Sequence, residues 1–71
     1  MKISMNKAKE ILTDLKANGE VIYEDVKITN TITKSVYIMN GWEYVLIFES
    51  GVLKKIEEGN HRELIEAYVE N

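Results

Sequence analysis

Met39-Asn40-Gly41-Trp42-Glu43-Tyr44-Val45-Leu46-Ile47-Phe48 holds the only tryptophan and the only phenylalanine of a 71-residue chain, together with one of its four tyrosines. Its centre is Asn40-Gly41. A two-residue type I′ turn needs positive φ at both positions, and Asn-Gly tolerates that best, so the stretch predicts a β-hairpin over residues 32–49. The turn fixes the register: Met39 pairs with Trp42, Tyr37 with Tyr44 and Val36 with Val45. Directly paired side chains project to one side of a sheet. One face thus gathers Tyr37, Met39, Trp42, Tyr44, Leu46 and Phe48, and the other Val36, Ile38, Val45 and Ile47.

Working outward, Ser50-Gly51 reads as a second tight turn leading into a strand from Val52 to about Glu57. Strict alternation then adds Leu53 to the aromatic face and Val52 and Ile56 to the aliphatic one. Upstream, residues 26–38 alternate between apolar and polar. They are too long for one strand, so Thr29-Asn30-Thr31 is expected to bend the chain between strands near 20–29 and 32–39. Ala8, Ile11, Leu12 and Leu15 recur at helical spacing, Ser4 or Asn6 offers an N-cap, and Asn18-Gly19 is expected to supply a left-handed end. These features predict a helix from about Asn6 to Asn18. After Gly59, Asn60 with Glu63 three residues on resembles a capping box. It predicts a second helix over 61–69 with Leu64, Ile65, Ala67 and Tyr68 inward. The expected fold is α+β, a three- to four-stranded antiparallel meander flanked by an N-terminal and a C-terminal helix, in the order α-β-β-β-β-α.

Residues 1–71 are read as one domain, near the lower size limit for a core without staples. The chain has no cysteine and a single histidine, His61, so neither a disulfide nor a His/Cys metal cluster is expected to hold it together. Absence of cysteine fits a reducing compartment. With no signal-peptide pattern and no apolar run near the roughly 20 residues needed to cross a bilayer, the expected location is the cytoplasm. Abundant Ile, Lys, Glu and Asn without proline are what an A/T-rich genome produces, in keeping with a low-GC bacterium or its phages.

Net charge is −3, and it is unevenly spread: residues 1–34 carry six Lys and five acids, residues 35–71 three basic residues and seven acids. That balance speaks against nucleic acid as a partner. The sequence also lacks the usual equipment of an enzyme. Ser4, Ser35 and Ser50 lie in no nucleophile motif, and the four glycines are dispersed and form no phosphate loop. Glu57 and Glu58 point to opposite sides of a strand, and a metal site from Glu57, Glu58 and His61 lacks ligand-loop spacing. No cofactor, metal or membrane is expected.

What remains is a surplus of apolar surface. Two short helices cover one face of a sheet, yet both faces here are apolar, and the sequence does not say which is core. Large exposed apolar patches mark interaction sites, and Tyr and Trp are enriched at binding hot spots. The expectation is a non-enzymatic protein-binding module, an inhibitor or modulator of the kind phages and mobile elements encode, that occupies another protein, with nucleic-acid-processing proteins among the targets. Its candidate contact residues are Tyr37, Met39, Trp42, Tyr44 and Phe48, with the acidic Glu57, Glu58, Glu63 and Glu66. The alternative is a homodimeric structural or regulatory protein that buries the surplus face against a second copy.

Overall fold

The positive φ values expected of Asn40-Gly41 are present, at 54° and 78°, and the second turn, Ser50-Gly51, has them as well, at 50° and 81°. In a computed structural model, which describes residues 1–60 and 63–70, these two turns join three of six strands. The elements are β1 (Lys2–Ser4), α1 (Met5–Asn18), β2 (Glu20–Lys27), β3 (Ile32–Met39), β4 (Trp42–Glu49), β5 (Val52–Gly59) and β6 (Leu64–Glu70). All six strands form one mixed sheet in the order β1-β6-β5-β4-β3-β2. From β2 to β6 it is an antiparallel meander, and β1 adds to β6 in parallel.

This corrects the expected α-β-β-β-β-α order. The chain is α+β with an N-terminal helix, but among the described residues there is no C-terminal helix. His61 and Arg62, where that helix was to begin, lie outside the described residues, and Leu64–Glu70 is a strand. Only half of the capping box forms: Glu63 N–H donates to Asn60 Oδ1 at 3.2 Å, but Asn60 N–H donates to the Glu63 main-chain carbonyl at 3.1 Å and not to its side chain. Asn side chains make the same short-range bond in turns and at helix starts. Over seven residues, L-I-E-A-Y-V-E satisfies a helical stripe and a period of two alike. The strand wins because it pairs with β5 along Lys55–Gly59 and gives β1 its only partner among the described strands. A lone terminal helix of about nine residues would be marginal in water.

α1 begins directly after β1 and is separated from β2 by Gly19 alone. Ser4 caps it, its hydroxyl accepting from Lys7 N–H at 3.1 Å. Its end is not left-handed as expected: Gly19 is extended, with φ −86°, and its N–H returns to the Leu15 carbonyl at 2.8 Å. Since β1 and β2 are opposite edges running the same way, α1 must cross the sheet diagonally. Fourteen helical residues reach about 21 Å. Six flat strands are about 24 Å wide before any diagonal is added, so the sheet has to curl around the helix.

The side facing α1 is the aromatic one. Ala8 and Leu15 of the helix are buried with Tyr37, Leu46, Leu53 and Ile56, and Ile3, Ile11, Leu12, Met39, Tyr44, Phe48 and Val69 pack around them. Ile56 departs from strict alternation. Phe48 pairs with Leu53, but Ile47 pairs with Lys55 and Leu46 with Ile56, so β5 carries one extra residue at Lys54. This β-bulge turns Ile56 into the core and leaves Val52 outside, where alternation alone placed both on one face. It also moves Lys55 and Glu57 to the side away from the helix.

The bulge predicts an asymmetry that alternation does not. Ile56→Ala should cost about 3 kcal/mol, whereas Val52→Ala, at a 40% exposed position, should cost less than about 1 kcal/mol. Chemical denaturation of the two variants checks this.

Candidate functional site

The face of the sheet turned away from α1 is laid out in cross-strand rows. At the Asn40-Gly41 end the row is Glu20, Ile38, Glu43, Gly59 and Leu64; the next is Tyr23, Val36, Val45, Glu57 and Glu66. A third runs Val26, Lys34, Ile47, Lys55, Tyr68 and Lys2. Val36 and Val45 are buried although no helix among the described residues covers them. Ile38 is 37% exposed and Leu64 60%. The result is an apolar band across β3, β4 and β6 at one end of the face.

Charge around this band is lopsided. Among the described residues, Glu20, Glu43, Glu49, Glu57, Glu66 and Glu70 share the face with Lys2, Lys34 and Lys55. Lys55 does the work of two cations, with its Nζ 3.1 Å from Glu57 and 3.3 Å from Glu66, and stands 5.8 Å from the Tyr68 ring centroid. The bond to Glu57, and then that to Glu66, raises the Lys55 pKa above its ordinary value, against the opposing effect of burial. Glu57 and Glu66 are direct cross-strand partners, so without Lys55 two like charges would face each other. Lys34 and Lys55 both lie in the third row, which leaves the first row with two carboxylates and no cation of its own.

The structure gathers the aromatic residues singled out from the sequence under the helix and separates them from most of the glutamates. Tyr37 is buried, and Met39, Tyr44 and Phe48 pack against the core beneath α1. Trp42 pairs with Met39 on that same side and is half-buried. Burial is the main reason the Tyr37 and Tyr44 hydroxyls are pushed above their ordinary pKa of 10.0, reinforced at Tyr37 by Glu24 and Asp25 and at Tyr44 by Glu58 and Asp14. Of the four glutamates, Glu57 and Glu66 lie on the uncovered face, Glu58 lies on the helix side in the row of Tyr44, and Glu63 sits in the β5–β6 turn. Gly59 and Leu64 are the residues that sequence reasoning missed. Both were assigned to a helix and its boundary, and their place beside Glu43 follows only from pairing across β4, β5 and β6.

Among the described residues, no group of three or more His, Cys, Asp or Glu side chains is arranged to hold a metal ion, and no helix is long and apolar enough to cross a membrane. His61 of the conceivable Glu57, Glu58 and His61 site lies outside the described residues. No protein-family model, curated protein or solved structure matches this chain.

Two solution measurements check these electrostatics. Folded phenols with raised pKa values keep their protons longer than unfolded ones. Stability from Tyr37 and Tyr44 is therefore complete below about pH 10 and is lost as pH rises through their folded values. Phenolate absorbance should accordingly appear at higher pH in the native chain than in the denatured one, with Tyr37→Phe and Tyr44→Phe each removing part of the difference. Lys55→Met should destabilise by about 1 kcal/mol at neutral pH.

Proposed function

We propose that this protein is a small non-enzymatic binding module that acts by occupying a surface of another protein, as an inhibitor or modulator does. The contact surface is the uncovered sheet face around the exposed Ile38 and Leu64, above the buried Val36 and Val45. One observation carries the reading: the single helix is fully used on the aromatic side, and an apolar band bordered by Glu20, Glu43, Glu57 and Glu66 is left without a cover. A partner with an apolar patch inside a basic rim complements it. Proteins that handle nucleic acid present such rims, and an acidic module imitates the phosphates they bind. The aromatic residues then serve the fold, and the working surface is aliphatic and acidic.

Self-association through the same face is the weaker reading. Two copies would bring acidic rims against each other, a like-charge juxtaposition that disfavours the contact. Pairing through the β2 edge is discouraged as well. That strand shifts register twice, and Asp25 adopts φ 53° with its N–H donating to the hydroxyl of buried Ser35 at 3.0 Å. Irregular edges of this kind resist strand-to-strand pairing.

The test is affinity capture from a lysate of the source organism at low salt, using the wild-type chain and Leu64→Lys. Leu64 is exposed, so the variant should keep the native circular dichroism. A stoichiometric protein retained by the wild type, lost from the variant and rebound in purified form is the expected result. Absence of any such protein, or a light-scattering mass of twice 8.2 kDa that falls to the monomer in Leu64→Lys, would overturn the reading.

A further inference from the structure

The first row of the uncovered face contains a gap. Gly59 stands between Glu43 and Leu64 and contributes no side chain, so an open notch of about 290 Å³ forms over Ile38, Val45 and Gly59, bounded by Glu43, Asn60 and Leu64. The fold enforces the gap. A Cβ on Gly59 would lie 2.5 Å from the Glu63 carbonyl oxygen and 3.2 Å from Leu64 Cδ1, so the close approach of the β5–β6 turn admits glycine there. The notch is at the lower end of the range for small-molecule sites, about 300 to 1,000 Å³, which suits one inserted side chain better than a metabolite.

Its lining has a definite chemistry. The floor is aliphatic, the one ionisable group in the lining is the Glu43 carboxylate, and Glu43 has no ion-pair partner among the described residues. Glu20, on the far side of Ile38, adds a second negative charge to the same row. An apolar stem ending in a cation fits such a site. Arginine fits better than lysine, because a planar guanidinium pairs with a carboxylate through two parallel hydrogen bonds and sheds water more readily.

We infer that this notch is the anchor site for an arginine of the partner protein, its aliphatic stem lying over Ile38, Val45 and Gly59 and its guanidinium on Glu43. This inference rests on the binding-module reading and specifies the partner's contact residue. Arginine is also among the residues that most often dominate binding energy when seated in a pocket. In this arrangement Leu64 walls the stem and Glu43 supplies the direction.

The test uses the intact chain and a defined probe, n-butylguanidinium, with n-butylammonium and pentanoate as partners of matched apolar stem. Backbone amide shifts in ¹⁵N-labelled protein should move at Ile38, Glu43, Val45, Gly59 and Leu64 with butylguanidinium. They should move less with butylammonium and not at all there with pentanoate. Glu43→Gln, at an exposed position, should keep the fold and weaken butylguanidinium binding by about threefold or more. Equal shifts with pentanoate, shifts scattered over the other carboxylates, or unchanged binding in Glu43→Gln would overturn the anchor. The two readings fail separately. If the captured protein is still lost with Leu64→Lys while butylguanidinium does not bind the notch, the module stands and the arginine anchor falls. If the fragment binds as expected but no protein is captured, the notch is a guanidinium site and the module reading falls.

Discussion

A fourteen-residue helix with almost no slack at either end joins the two outermost strands of a six-stranded sheet. That constraint governs the rest of the molecule. Because β1 and β2 are parallel and lie at opposite edges, the helix has to run diagonally beneath all the strands between them, and the strands have to curl toward it. One helix is then sufficient to close a core from Ala8, Leu15, Tyr37, Leu46, Leu53 and Ile56, and the side of the sheet it occupies is settled by connectivity. Among the described residues, the opposite side has no element left to cover it.

Two of the three register shifts in the sheet refine this plan. The extra residue at Lys54 rotates Ile56 inward and, with the same stroke, sends Lys55 and Glu57 to the uncovered face. Lys55 there meets Glu66 from β6 and neutralises a cross-strand pair of like charges. At the other irregular site, the Asp25 bulge in β2 has its amide bound by the Ser35 hydroxyl, so a break in the edge strand is compensated by a buried polar group. Both of these departures from regular pairing thus have a partner that makes them tolerable, as buried polar groups require. Together they leave a face whose apolar band and acidic border come from different strands.

Much of the fold was legible where the signal is local. Asn40-Gly41 and Ser50-Gly51 define their own turns through backbone conformation, and Ser4 with Ala8, Ile11, Leu12 and Leu15 defines a helix through capping and a 3.6-residue period. The β3–β4 register followed from the first turn alone, since a two-residue loop admits one pairing. The C-terminal segment was not legible in this way. Its seven residues suit two periods equally, and the bond from Glu63 N–H to Asn60 Oδ1 is one that a helix start also makes. Choosing between them takes the unpaired edge of β5 and the three residues of β1, which are distant in sequence. The candidate site was less legible still. Gly59 and Leu64 acquire meaning only once β6 is a strand and stands in register with β5.

By itself, then, the sequence determined the elements whose hydrogen bonds close within a few residues: the helix, the two tight turns, the hairpin they anchor and the pairing of aromatic side chains on one side of it. It determined the net acidity too. Only the tertiary structure decided which side of the sheet is core, because that depends on where a helix tethered to both edges must lie. It alone decided the strand identity of residues 64–70, the inward turn of Ile56 and the notch beside Glu43. Those depend on bonds between segments far apart in the chain, for which a local pattern of residues carries no signal.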